Sequence, residues 1–329
     1  MKQSLALHRL GRSPVEITRL GLGSAPLGGL FTPVSDADAE ATIARAWALG
    51  IRYFDTAPLY GFGIAEHRLG AFLRNQPRDS FVLSTKVGRL LRRPAGGDPP
   101  DDDAYKGTPP ERPVFDFSYD GVMRSVDESL GRLGLDRVDI LFVHDPDHHH
   151  DEAIDGAFRA LDRLRSDGTV QAIGAGMNQH AMLTRFASEA PCDCFLLAGR
   201  YTLLDQSALS GLTALCLRRG IGLVLGGVYN SGILAAPRAG ATFDYKKADR
   251  ALVARARHLD SLCRRHGTAL KAAAIRFSLT HPAVSGILLG ARSAREIEEN
   301  VAMAKLDVPA ALWLDIRREG LIDPAAPLP

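Results

Sequence analysis

Four side chains in this sequence have the types needed to move a proton and orient a reacting oxygen: Asp55, Tyr60, Lys86 and His144. A phenol beside a lysine ammonium has its ionised form favoured. From an ordinary pKa of roughly 10, Tyr60 is expected to fall toward neutrality, which suits a group that gives and takes a proton. Asp55 would keep Lys86 charged and aimed. His144 would donate a hydrogen bond to the reacting oxygen. Each residue also has a plainer reading taken alone. A lysine at a strand end is usually a surface ion pair, a tyrosine in a loop is usually packing, and a histidine on an apolar strand is usually satisfied in the core.

Their placement argues for the joint reading. Asp55, Lys86 and His144 stand at the ends of short apolar runs at 51–54, 81–86 and 138–144, and Tyr60 lies in the turn after the first of these. Further strand-like runs occupy 17–25, 170–174, 194–198, 222–225 and 284–289. Helical stretches fall at 35–50, 65–75, 119–133, 153–167, 179–189, 206–219, 249–266, 270–280 and 294–304. The apolar runs lack strict alternation, as strands of a parallel sheet buried on both faces do. Eight strand–helix units with no break in composition predict one α/β domain over 1–329, a (β/α)8 TIM barrel rather than a doubly wound sheet. In such a barrel the strand ends converge on one mouth, so residues far apart in sequence can meet. The first residues predict a hairpin about Gly11-Arg12-Ser13-Pro14 that plugs the other end. Segment 88–118, rich in Pro, Gly and charge, breaks the rhythm after the third strand. A connection of that length at a barrel mouth is expected to act as a lid, with DPPDDD (98–103) solvated and mobile.

Composition narrows the partners. The chain has 329 residues, with 40 Lys+Arg against 38 Asp+Glu, and so offers no whole-chain field to attract nucleic acid. It contains no apolar stretch long enough for a membrane span, and its first residues lack a secretory apolar core. Cys192, Cys194, Cys216 and Cys263 form no CxxC pairs, which suggests reduced thiols in a cytoplasmic protein. His148-His149-His150 cannot face one ion from one side as an i, i+4 pair on a helix does, so no metal is expected. That loop is expected to line the mouth, with Asp145 and Asp147 able to accept bonds from a ligand's hydroxyls.

The stretches FDTAPLYGFGIAEHRLG (54–70), STKVG (84–88), FVHDPD (142–147) and GARSAREIEEN (290–300) occur in an order that resembles the aldo-keto reductase family. The resemblance runs from about residue 16 to 305. It implies NAD(P)-dependent interconversion of a carbonyl and an alcohol, with Tyr60 as proton donor or acceptor, Lys86 and Asp55 as its tuning pair, and His144 as orienting group. The long loop, VHDPD and GGVYNSGIL (226–234) are similar to the family's D-threo-aldose dehydrogenase group, which includes L-fucose dehydrogenases and a pyridoxal dehydrogenase. That likeness implies oxidation of an aldose C1 hydroxyl to a lactone, or of a hydroxymethyl-type group on a ring, with Tyr60 as base. Tyr60, His144 and Asp145 would then touch the small-molecule substrate. A general aldehyde or ketone reductase is an alternative, and a nucleotide-binding, redox-sensing regulatory subunit is another of a different class. Oligomeric state is left open.

The resemblance also implies a dinucleotide extended across the mouth. GLGSAPLGG (21–29) lacks the G-x-G-x-x-G spacing of the other common dinucleotide fold. Gly23 would allow close backbone approach near the nicotinamide beside Asp55, and Asn178 would hold the carboxamide. The sequence departs from the family at Met177, where a serine is common, and at Gly226, where many members place an aromatic ring; Tyr229 is nearby but shifted. Asn230, Ser231 and Gly232 would wrap the pyrophosphate, or form a simple turn. Gly290, Arg292, Glu296, Glu299 and Asn300 match the adenosine-binding segment, at a helix N-terminus that favours an anion. Glu296 would repel a 2′-phosphate and accept bonds from a free ribose hydroxyl, whereas Arg292 or Arg295 would grip that phosphate. The balance favours NAD and leaves NADP open, with helix-surface ion pairing as the plainer account of the Arg/Glu pattern.

Overall fold

The eight apolar runs form parallel strands that pair in chain order and close into a barrel. They are β1 (Leu20–Gly23), β2 (Tyr53–Asp55), β3 (Val82–Val87), β4 (Ile140–His144), β5 (Ala172–Met177), β6 (Cys194–Ala198), β7 (Gly222–Gly226) and β8 (Val284–Gly290). Closure is made where β8 pairs with β1, bringing Gly290 level with Gly23. The computed structural model describes residues 5–97, 102 and 104–329. Strand β4 is buried at every position because barrel interior and surrounding helices cover its two faces, which explains the missing alternation.

Local chemistry starts and stops the helices that bring each strand back. Ser35 accepts a hydrogen bond from the Asp38 N–H at 3.1 Å and opens helix Asp36–Ala48. Ser118 does the same for helix Tyr119–Leu133, which Gly134 ends at φ 63°. These caps fix where each helix docks, and so where each following strand enters the barrel.

The N-terminal hairpin, Leu7–Arg9 against Glu16–Thr18, is antiparallel as expected. It drives Leu10, Val15 and Ile17 into the barrel interior against Tyr53, Ile140, Phe142, Leu196 and Val224. The Arg12 N–H donates to the Gly220 carbonyl at 2.8 Å, just before β7 begins. The plug thus fills the end opposite the strand C-termini and leaves the mouth free.

Several elements differ from expectation. The run at 17–25 is two strands, because Thr18 turns the chain from hairpin into barrel. Its Oγ1 donates to the Leu20 carbonyl at 2.8 Å and accepts from the N–H groups of Arg52 and Tyr53 at 3.1 Å each. The helix expected at 206–219 is broken at Gly211, φ 125°, into a 3-10 turn Ser207–Leu209 and helix Leu212–Arg219. The fourth helical stretch begins earlier, at His150, and passes through a π-helical turn, Ala153–Phe158. A final helix, Ala310–Arg318, was not expected.

Segment 88–118 carries structure of its own. Arg89–Arg92 pairs antiparallel with Arg112–Phe115, and residues 104–106 dock on 29–31. The Phe31 N–H donates to the Ala104 carbonyl at 2.7 Å and the Lys106 N–H to the Gly29 carbonyl at 3.0 Å. The solvated stretch expected at 98–103 lies outside the described residues except for Asp102, whose Oδ1 accepts from the Ala104 N–H at 2.8 Å.

Candidate active site

Strand register alone brings three of the four expected residues together. Asp55 closes β2 level with Ser84, Lys86 lies two residues further along β3, and His144 closes β4. The Lys86 ammonium donates to Asp55 Oδ2 at 2.7 Å and to the Thr56 carbonyl at 2.9 Å. Ser84 Oγ donates to the other carboxylate oxygen, Asp55 Oδ1, at 2.7 Å. Both members of the ion pair are buried. Burial pushes the Asp55 carboxyl up, against the pull of Lys86 and Ser84. Such a pair persists only when its remaining bonds are satisfied, and Thr56 and Ser84 meet that demand.

Tyr60 arrives from a turn rather than a strand. The turn is a run of left-handed residues, Gly61, Phe62 and Gly63 at φ 62°, 51° and 96°. It packs backbone to backbone on Gly28, so that a methyl group on Gly61 would collide with the Gly28 carbonyl. The half-buried Tyr60 ring has the Lys86 ammonium 4.5 Å from its centroid and stands edge-on to His144 at 5.9 Å. Tyr105 of the long loop lies 6.4 Å away, so the segment expected as a lid walls the Tyr60 side of the mouth.

The electrostatics differ from the expectation for Tyr60. Burial, and then the charge of Asp55, hold the phenol well above its ordinary value. The ammonium was expected to lower it, but Lys86 is already neutralised by a carboxylate at 2.7 Å, and desolvation of a phenolate wins. Burial, aided by the positive charges of Arg89 and Lys86, lowers His144 well below the usual histidine range. His144 is therefore a neutral imidazole near pH 7. Its Nδ1 has no partner among the described residues.

Asp145, expected to touch substrate, sits in the left-handed region at φ 43°. Its carboxylate lies 2.9 Å from the Arg89 guanidinium and 3.5 Å from His144 Nε2, and accepts the Asn178 backbone N–H. Burial pushes this carboxyl up to about 6, against the pull of Arg89. Asp147 is bound by the Gln179 side chain instead. The His148–His150 loop is occupied by its own contacts: His149 packs 5.2 Å from Phe117 and His150 stacks on Phe186 at 5.4 Å.

Sequence reasoning missed Arg89, Tyr105 and the pair Phe31–Tyr245, whose rings meet at 6.3 Å across the mouth. It also missed the clasp in which Arg200 donates two bonds to Asp244, at 2.8 and 2.7 Å. Arg89 had one available signal: Gly88 follows β3 at φ 95°, so the chain reverses there and returns the next side chain to the mouth.

The residues expected to hold a dinucleotide are spread around the same rim. Gly290, Gly23 and Asp55 are neighbours across β8, β1 and β2. Gly226 is level with Ala198, and Asn178 follows β5 directly. A methyl group on Gly23 would meet only Leu288, at 3.5 Å, and one on Gly226 would meet Leu196 at 3.4 Å. The chain's own packing therefore does not require glycine at either position, and the missing side chain leaves a methyl-sized space at each. Tyr229 is turned from that room: its hydroxyl donates to Asn300 Oδ1 at 3.1 Å, and Asn300 donates in turn to the Gly290 carbonyl at 3.2 Å. Asn230 and Ser231 are left-handed at φ 45° and 55°, with Gly232 at 105°. The buried Asn230 Oδ1 has no partner among the described residues. Ser231 Oγ accepts the Tyr245 N–H at 3.0 Å. Glu296 accepts from the Arg292 N–H at 2.9 Å and from its guanidinium at 3.0 Å, while Glu299 accepts from Lys271 at 2.7 Å. The open cradle at Gly23 and Gly226, and the exposed Arg292 beside a helix N-terminus at Ser293, fit a bound dinucleotide.

A closed eight-stranded barrel carrying this cluster at its mouth defines a class, and comparison with known proteins agrees with it. The Aldo/keto reductase family model matches residues 19–317, and the chain belongs to that family. It is an oxidoreductase, and it acts on a small molecule with a nicotinamide cofactor, as the family does. Pyridoxal 4-dehydrogenase of Microbacterium luteolum is 46% identical, over 95% of this chain and 97% of that protein. D-threo-aldose 1-dehydrogenase of a Pseudomonas species is 42% identical, over 93% and 95%. L-galactose dehydrogenase of Arabidopsis thaliana is 32% identical, over 91% and 88%. A holo aldo-keto reductase from Bacillus halodurans superposes with TM-score 0.76 over 98% of both chains at 22% identity, which speaks to the fold alone. Among the described residues no helix is long and apolar enough to cross a membrane.

Proposed function

We propose that this chain oxidises the C1 hydroxyl of an aldose in its ring form to a lactone, with NAD as the favoured acceptor. The observation that carries the reading is the charged pair Arg89–Asp145 beside His144 Nε2. A mouth so furnished suits a substrate rich in hydroxyls next to its reacting carbon. Bound nicotinamide supplies the hydride acceptor, with Gly23, Asn178 and Gly226 as the residues that hold it. Tyr60 takes the proton from the C1 hydroxyl as that carbon is oxidised. Lys86 lies 4.5 Å from the ring centroid, and Asp55 fixes it there. His144, neutral, donates to the same oxygen and orients it.

A second reading rests on the aromatic rim of Phe31, Tyr105 and Tyr245 and on the 46% identity to a pyridoxal 4-dehydrogenase. A flat heteroaromatic ring suits that rim. Pyridoxal, like an aldose, closes on a neighbouring hydroxyl to a cyclic hemiacetal, so both substrates would offer the same carbon to Tyr60. Initial rates with L-fucose, D-arabinose, L-galactose and pyridoxal, each with NAD and NADP, decide between them. Turnover of pyridoxal alone removes the sugar reading.

Cofactor choice has its own test. Glu296 holds a carboxylate where a 2′-phosphate would approach, and it also ties up Arg292. Glu296→Arg is expected to raise the NADP-to-NAD ratio of kcat/KM by about tenfold, the worth of one new charge-assisted contact. An unchanged ratio removes the charge argument and leaves this pair as a helix-surface contact.

A further inference from the structure

Arg89 is a cation beside the expected catalytic group that no expected role absorbs. It reaches the mouth by a built route. Gly88 is left-handed at φ 95°, and a side chain there would strike the Phe117 ring. The ribbon then sets Arg89 level with Phe115, with the guanidinium 4.8 Å over that ring. The Arg89 and Asp145 side chains are only 15% and 16% exposed. Asp145 is itself held in a left-handed conformation by its N–H bond to the Gly176 carbonyl, 3.0 Å. Bending a non-glycine backbone this way, to place a charged pair where water is scarce, is costly. The pair joins the ribbon of the long loop to the segment after β4. The pair lies against the catalytic imidazole, and Arg89 Nε has no partner among the described residues.

We propose that Arg89 and Asp145 form a clamp that selects substrates bearing a hydroxyl on the carbon next to the reacting one. The inference rests on the hydroxyl-rich substrate class proposed above and names the residue that reads it. The geometry gives the division of labour. The carboxylate, beside His144 Nε2, accepts a hydrogen bond from a neighbouring hydroxyl. The guanidinium donates to that oxygen or to the next along the ring. A substrate lacking the hydroxyl covers the pair without replacing its lost water, so it is rejected by an unsatisfied polar group rather than by shape.

The test compares matched substrates in wild type, Arg89→Met and Arg89→Lys. In the oxidative direction the pair is an aldose and its 2-deoxy analogue. In the reductive direction it is glyceraldehyde and propanal, which needs no sugar oxidation. Wild type is expected to favour the hydroxylated partner by at least about 100-fold in kcat/KM, and by up to about 10⁴-fold if the clamp is fully desolvated. Arg89→Met is expected to cut that preference at least tenfold, mainly through KM of the hydroxylated partner, with Arg89→Lys between the two. A structural role alone would slow both partners alike and leave the ratio untouched. A ratio retained in Arg89→Met, or no preference in wild type, overturns the clamp. Failure to oxidise any sugar, with the glyceraldehyde preference present and lost in Arg89→Met, overturns the sugar reading and sustains the clamp.

Discussion

At the scale of single residues, the candidate site works by neutralising its own charges. Lys86 and Asp55 cancel each other at 2.7 Å, His144 is kept uncharged, and the Tyr60 phenol is held in its protonated form. The charged and titratable groups that act on Tyr60 are Asp55, Tyr245 and Asp145, which oppose ionisation, and Arg89, which favours it; the Lys86 ammonium lies against its ring. The sign for pH follows. A proton held above the ordinary phenol value of about 10 is available for carbonyl reduction throughout the neutral range. It must be lost before alcohol oxidation can begin. Oxidative kcat is therefore expected to climb steadily from pH 7 to 9, while reductive kcat stays level. An oxidative rate that peaks below pH 7 contradicts this assignment. Tyr60→Phe is expected to reduce kcat in both directions by about 1,000-fold, within the range for a lost proton-transfer group. Cofactor affinity, read by fluorescence titration, is expected to change less than threefold. Near-normal rates in this variant remove Tyr60 from its role.

At the scale of elements, legibility depended on whether position follows from strand register. Asp55, Lys86 and His144 could be placed from sequence because each ends an apolar run, and parallel strands deliver their ends to one rim. The helix at 36–48 was legible from its cap at Ser35, and that at 119–133 from its amphipathic pattern. The ribbon of Arg89–Arg92 and Arg112–Phe115 was not, since its pairing spans a long loop and no local pattern encodes it. Arg89 and Tyr105 were missed for that reason. The ionisation of Tyr60 was misjudged because it depends on how far Asp55 cancels Lys86, a distance that sequence does not carry. The turn bearing Tyr60 yields a prediction of its own. Gly61 is left-handed and in backbone contact with Gly28. Gly61→Ala is expected to cost about 1–3 kcal/mol of stability and to lower kcat at least tenfold by displacing Tyr60. Gly107→Ala is the control, also left-handed but with open space around it, and is expected to leave kcat unchanged. Equal kinetic effects in the two variants would show that backbone strain alone is responsible.

At the scale of the whole molecule, the barrel separates stability from chemistry by placing them at opposite ends. The mouth carries the buried ion pair, the left-handed Asp145 and the unpartnered polar atoms of His144 and Asn230. The other end is closed by an apolar plug in which Leu10, Val15 and Ile17 meet Tyr53, Ile140 and Phe142. Tyr53 links the two ends. Its ring is packed in the plug cluster, while its hydroxyl lies 3.1 Å from Ser84 Oγ, which bonds Asp55. The hairpin is short and stands outside the strand–helix rhythm, so its place in the cooperative core is open to measurement. Ile17 is fully buried. Ile17→Ala should cost about 2–5 kcal/mol, the usual range for emptying a packed core position, as a shift in the denaturation midpoint at unchanged slope. Because the cavity would open at the plugged end, kcat and KM measured well below the transition should match wild type. A loss below about 1 kcal/mol would place the hairpin outside the cooperative unit. A normal stability loss joined to a large fall in kcat would mean that the Tyr53–Ser84–Asp55 chain carries strain from plug to mouth, and that the two ends are coupled.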